Sequence, residues 1–192
     1  MIKNYLLRFT TADLVIIALL AAGGVATKPF VRLLAQVFTG SLVPIGTVAG
    51  IFYMLWIVLA CLVVGKRGTA ILVGIVQSVL VVVFDMLGNR GLANLLVYIV
   101  PCVVMEVVLL MFPRYVSGLF SSLTAGGVTN AAGSLIVGWL FLRLPGIPLL
   151  IATTVSFLFG GMGGILANRL YQLVKKFRET PPEEGAEAAA DG

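Results

Sequence analysis

Val43-Pro-Ile-Gly-Thr-Val-Ala-Gly-Ile-Phe-Tyr-Met-Leu-Trp-Ile-Val-Leu-Ala-Cys-Leu-Val-Val64 runs into Gly65-Lys66-Arg67-Gly68. Thr69-Ala-Ile-Leu-Val-Gly-Ile-Val-Gln-Ser-Val-Leu-Val-Val-Val-Phe-Asp-Met-Leu87 follows, and this stretch decides the fold. Each apolar run approaches the roughly 20 residues that a helix needs to cross a hydrocarbon core of about 30 Å. Both are too long and too continuously apolar for barrel strands, which alternate inward and outward. In lipid a helix satisfies every backbone N–H and C=O within its own segment. The four residues between the runs combine two helix breakers with two cations, as a short turn at a membrane surface does.

The same punctuation recurs along the chain, at Lys28-Pro29, Gly88-Asn89-Arg90-Gly91, Pro113-Arg114 and Arg143-Leu144-Pro145-Gly146. It divides the sequence into six apolar segments, near 13–26, 43–64, 69–87, 92–112, 116–142 and 148–174. Composition agrees: 60% of residues are hydrophobic and 11% charged, against about 25% charged in ordinary soluble domains. The expected fold is all-α, a polytopic membrane protein built as a bundle of six transmembrane helices. Residues 1–12 form an amphipathic lead-in, with Ile2, Tyr5, Leu6 and Phe9 on one side. Residues 13–176 form the membrane domain. Residues 177–192 form an acidic tail that carries Pro181-Pro182 and too little apolar surface to fold.

Cations set the orientation. A cytoplasmic N-terminus puts Lys3, Arg8, Lys66, Arg67, Arg114, Arg169, Lys175, Lys176 and Arg178 inside, and Lys28, Arg32, Arg90 and Arg143 outside. The excess inside places both termini in the cytoplasm. The net charge of +5 therefore orients a membrane protein rather than binding nucleic acid. A competing reading takes the first apolar stretch as a signal peptide cleaved near Gly24-Val25-Ala26. The connection 27–42 is the longest on the outside, and reads as a partly inserted segment, as a lid over a pocket or as an ordinary interfacial loop.

Few residues can carry chemistry. There is no histidine, and Cys61 and Cys102 both lie in apolar runs, which suits packing better than a metal site. No nucleophile elbow or P-loop is present. An enzyme is not expected, and neither is a cofactor or bound metal. Glu106 is the notable exception, 14 residues into the fourth segment from Leu92 and so roughly 21 Å deep at 1.5 Å per residue. A carboxylate there must be paired, hydrated or protonated. Asn94, Tyr98 and Cys102 precede it at steps of four, on one helix face. That face reads as a pocket wall, or Glu106 as a structural hydrogen-bonded carboxyl. Gln77 and Asp85 share a face of the third segment; Asp85 can also pair locally with Arg90. Asn130 is mid-membrane and reads as pocket lining or as glue between helices. Trp139 reads as an interfacial belt residue or as a stacking surface, and Trp56 and Tyr53 could also stack on a planar ligand.

Small residues form two stripes, Ala18, Ala22 and Ala26 in the first segment and Gly160-Gly161-Met-Gly163-Gly164 in the sixth. Such stripes let another helix approach, from the same bundle or from a partner. Six short segments, the Ala18-x-x-x-Ala22 stripe, Lys66-Arg67-Gly68 after the second helix and Glu106 late in the fourth resemble the substrate-binding S components of energy-coupling factor transporters. The resemblance is nearest to their YkoE-type members, associated with thiamine or its hydroxymethylpyrimidine precursor, and covers about Ala12 to Lys176. It implies a plasma-membrane subunit of a prokaryote that takes up a vitamin or vitamin precursor under its first outer loop. It implies docking through Ala18 and Ala22 to a transmembrane coupling protein driven by two cytosolic ATPases. The pocket implied is Gln77, Asp85, Asn94, Tyr98, Glu106, Asn130 and Trp139. The absent N-terminal histidine motif argues against a cobalt or nickel substrate. The alternative is a stand-alone secondary transporter or channel for a small solute.

Overall fold

The computed structural model describes residues 9–31, 33, 45–84, 93–113, 115, 116 and 118–179. Among these residues there are six α-helices and no strand: α1 Thr11–Ala26, α2 Ile45–Val64, α3 Thr69–Val83, α4 Ala93–Leu110, α5 Leu119–Ile136 and α6 Gly146–Glu179. Each expected segment coincides with one helix to within a few residues. A π-helical turn, Val137–Phe141, prolongs α5. α6 continues through residues 177–179, so the acidic tail begins later than the composition suggests. Asp85, the Asn94 side chain, most of the 27–42 connection and the lead-in up to residue 8 lie outside the described residues.

Local chemistry explains the ends. Thr10 caps α1: its hydroxyl accepts from the Asp13 N–H, and the Asp13 carboxylate accepts from the Thr10 N–H at 2.6 Å. This reciprocal box satisfies two donors that a helix start leaves unpaired. Gly68 stands before α3 with φ of 97°, a left-handed conformation that glycine adopts without strain. The tight Gly65–Gly68 turn therefore lets α3 fold back along α2.

Contacts along each helix give an up-and-down bundle. α1 lies antiparallel to α2, with Asp13 paired to Lys66 at one end and Gly23 against Trp56 nearer the other. α3 lies antiparallel to α4, with Gly68 at Glu106 and Gly74 at Cys102. α5 and α6 make the most extensive contact, and α6 also packs along α2. The glycine stripe of α6 creates that closeness. A Cβ on Gly160 would overlap the Gly126 carbonyl, one on Gly164 the Ser122 carbonyl, and one on Gly163 the Ile51 carbonyl of α2. This stripe packs the bundle internally.

Polarity is distributed inside out. Gln77, Ser78, Glu106, Ser122, Thr129, Asn130, Ser134, Ser156 and Asn168 are buried, while Leu19, Val79, Val83, Leu96, Phe120, Ile147, Leu150 and Leu158 are exposed. A water-soluble monomer rarely presents apolar surface on this scale; hydrocarbon accepts it. Thr11–Val31 and Gly146–Glu179 are long and apolar enough to cross a membrane by themselves, whereas Ala49–Val64, Thr69–Val83 and Leu95–Leu110 are shorter apolar helices. The six expected spans correspond to six helices among the described residues, two of which meet the length of a span. The 15 residues of α3 cover about 22 Å, short of the hydrocarbon thickness.

Candidate functional site

Two polar clusters occupy opposite ends of α4. Glu106 belongs to the first, near the α4 C-terminus. Its Oε1 accepts the Gly68 N–H at 2.6 Å, and its Oε2 accepts the Tyr115 hydroxyl at 2.6 Å. The acid therefore sits at the α3 N-terminus, where unpaired N–H groups and the helix dipole favour negative charge. Tyr115 also takes a long hydrogen bond, 3.4 Å, from the Ala70 N–H. Burial, with Cys61 and Glu106 beside it, pushes the Tyr115 phenol well above its ordinary range, so it stays a donor. Lys66 and Asp13 close the same end of the bundle. Every atom of the Glu106 carboxylate is engaged by the protein itself, and the cluster fastens α3, α4 and the α4–α5 connection together.

The second cluster lies toward the other end, where α1 to α4 converge. Ile17, Ala21 and Gly24 are buried on the inner face of α1, and Lys28 continues that face at spacings of four, three and four. The Lys28 Nζ is buried and, among the described residues, has no hydrogen-bond partner. It stands 3.8 Å from the centre of the Tyr98 ring and 5.8 Å from that of Tyr53. One turn back, a Cβ on Gly24 would lie 2.6 Å from the Gln77 amide nitrogen and 3.2 Å from the Trp56 Cβ. Cys102, one turn below Tyr98, fills the hollow over Gly74. An ammonium, two phenol rings, an indole and a buried amide thus share one region.

Energetics single out Lys28. Removing an ammonium from water costs several kcal/mol even after the protein relaxes. Contact with aromatic faces returns about 0.5–2 kcal/mol. The aromatic cage alone does not offset the burial, and a hydrogen-bonding anion would.

The residues expected from sequence to line one pocket separate. Gln77 and Tyr98 fall in the Lys28 region. Glu106 is at the opposite end. Asn130 donates to the Ser156 carbonyl at 2.8 Å and abuts Gly50, and Ser156 donates to Ser134 beside it; this chain of contacts ties α5 to α6 and α2. Trp139 is 63% exposed on the π-helical turn, away from the Lys28 region. Asp85 and the Asn94 side chain lie outside the described residues. Ala18, Ala22 and Ala26 are exposed on the outer face of α1. Sequence reasoning missed Lys28 as a site residue because the following Pro29 marks it as loop. The 17-21-24-28 spacing was the available signal.

Comparison with known proteins agrees with the membrane architecture. No curated protein and no solved structure matches the chain. Residues 12–132, well over half of the sequence, match the family described as ABC-type cobalt transport system, permease component. That span holds α1 to α4 and most of α5, including both polar clusters, and it makes this chain a member of that family, a membrane component of an ABC-type transport system.

Proposed function

We propose that the chain is the substrate-binding subunit of its transporter, an S component that holds a small vitamin-like solute and relies on partner ATPases for energy. The observation that carries this reading is the Lys28–Tyr53–Tyr98 cluster beside Gln77 and Trp56: a buried amine that faces two aromatic rings and has no hydrogen-bond partner among the described residues. The cation count along the sequence puts Lys66 and Arg67 in the cytoplasm, which puts Lys28 toward the outside of the plasma membrane, where an uptake subunit meets its solute. The exposed stripe Ala18, Ala22 and Ala26 supplies a smooth face for a transmembrane coupling protein.

The family description favours a second reading, a cobalt carrier. Divalent cobalt calls for imidazole, thiolate or carboxylate ligands. The chain has no histidine, and among the described residues no three His, Cys, Asp or Glu side chains stand close enough to share an ion. A buried ammonium also repels a cation. The organic solute is therefore preferred. Within it, a thiazolium such as that of thiamine finds little support, because the Glu106 carboxylate that could have met it is engaged by Gly68 and Tyr115.

The test is co-purification from the native membrane. A tagged chain should bring down a coupling protein and two ATPases, and ATP should be needed for uptake into reconstituted liposomes. Solute uptake by the purified chain alone, under an ion gradient, would overturn the assignment in favour of a secondary carrier. Saturable binding of Co2+ that competes with no organic solute would favour the cobalt reading.

A further inference from the structure

We infer that the Lys28 region recognises an anionic group, a carboxylate or phosphate carried on a flat ring. The inference rests on reading this cluster as the solute site, and it names the chemical class of the solute. Three observations converge. The Lys28 Nζ is buried and lacks a hydrogen-bond partner among the described residues, so its three donors await an acceptor. The faces of Tyr98 and Tyr53 stand beside it; these accept a cation's field but give it no lone pair. Gln77 and Trp56 meet at Gly24, one helical turn away on the same face, and supply an amide and an indole for the ring that carries the charge. An ammonium over π faces with an amide beside them suits an aromatic anion. It rejects a free divalent cation, and it rejects the quaternary nitrogen that the same tyrosines would cage if Lys28 were absent.

Anionic oxygen near a membrane surface has two sources, a dissolved solute or a lipid headgroup. Thermal unfolding of the full chain in nanodiscs separates them. The soluble probes are nicotinate, 4-aminobenzoate and thiamine monophosphate, each beside its parent lacking the anionic group: nicotinamide, 4-aminobenzamide and thiamine. The lipid probe is phosphatidylglycerol, compared with discs of phosphatidylcholine alone.

At least one anionic probe should raise the melting temperature of the wild type while its parent does not. Lys28→Met should weaken that probe by about tenfold to a hundredfold, the worth of a hydrogen bond to a charged group, and Lys28→Arg should retain most of it. Without any probe, Lys28→Met should melt higher than the wild type, because it removes a buried amine with no hydrogen-bond partner among the described residues. That readout needs no ligand and also shows that the variant folds. A phosphatidylglycerol effect that depends on Lys28, with no response to the soluble anions, makes the headgroup the source and supports the anion site. Equal responses to charged and uncharged members of each pair, or responses unchanged in Lys28→Met, overturn it. Capture of the coupling protein, followed on the same variants, distinguishes the two claims. Lost anion response with intact capture in Lys28→Met is the expected pattern. Failure of the wild type to capture any partner, with the anion response present, removes the S-component assignment and leaves the anion site standing.

Discussion

The Tyr115 hydroxyl donates to the Glu106 carboxylate across 2.6 Å, joining the α4–α5 connection to the end of α4 while the other carboxylate oxygen holds Gly68. Removing the hydroxyl strands a buried acceptor. Tyr115→Phe should lower stability by about 1–3 kcal/mol, seen as a lower melting temperature in detergent, with no change in solute binding at the far end of the bundle.

The same phenol makes stability sensitive to alkali. Its folded-state pKa lies above the unfolded value, so the protonated form is favoured by folding. The stabilisation is complete below about pH 10, the ordinary tyrosine value, and declines as pH rises beyond it. Wild-type melting temperature should therefore fall more steeply above that pH than the melting temperature of Tyr115→Phe. Parallel curves for the two proteins would contradict the bond.

Glycines of α6 are not interchangeable. A Cβ on Gly164 would overlap the Ser122 carbonyl, whereas one on Gly161 meets nothing nearer than Leu123 at 3.5 Å. Gly164→Ala should cost about 1–3 kcal/mol through overpacking. Gly161→Ala should be neutral or stabilising, by up to about 1 kcal/mol from helix propensity. Unfolding of the two purified variants side by side checks the contrast.

The two faces of α1 make a second contrast. Ala21 is fully buried, and Ala22 next to it is exposed. Ala22→Trp should leave the melting temperature near the wild-type value while abolishing capture of the coupling protein. Ala21→Trp should reduce the yield of folded protein itself. Retained capture by folded Ala22→Trp would dismiss the alanine stripe as the docking face.

The tryptophans report on lipid. The chain has two, Trp139 turned outward and Trp56 packed against Gly23 and Gly24. In brominated phosphatidylcholine the fluorescence of Trp56→Phe, which retains Trp139, should be quenched much more strongly than that of Trp139→Phe.

Helix number and approximate limits were legible because continuous apolar runs and cationic breakers are one-dimensional signals. The turn at Lys66-Arg67-Gly68 was equally plain. The partner of Glu106 was not: that depends on α3 and α4 lying side by side, and Gly68 is 38 residues away in sequence. Asn130 was legible as pocket lining or as glue, since a mid-membrane amide must find an acceptor, but Ser156 could not be named in advance. Lys28 was hidden by its neighbour. Pro29 ends a helix in a linear reading, yet the Val31 N–H still reaches the Thr27 carbonyl at 3.1 Å, so the helical path carries Lys28 inward.

One end of the bundle is fastened by charge. Around Gly68, a carboxylate, a phenol and the Asp13–Lys66 ion pair bolt α1, α3 and α4 to one another. Around Lys28, at the other end of α4, the faces of Tyr98 and Tyr53 turn toward a buried amine. A solute meeting Lys28 therefore settles at the far end of α4 from that bolted base. Whatever enters among Tyr53, Tyr98 and Gln77 can do so without loosening the foundation.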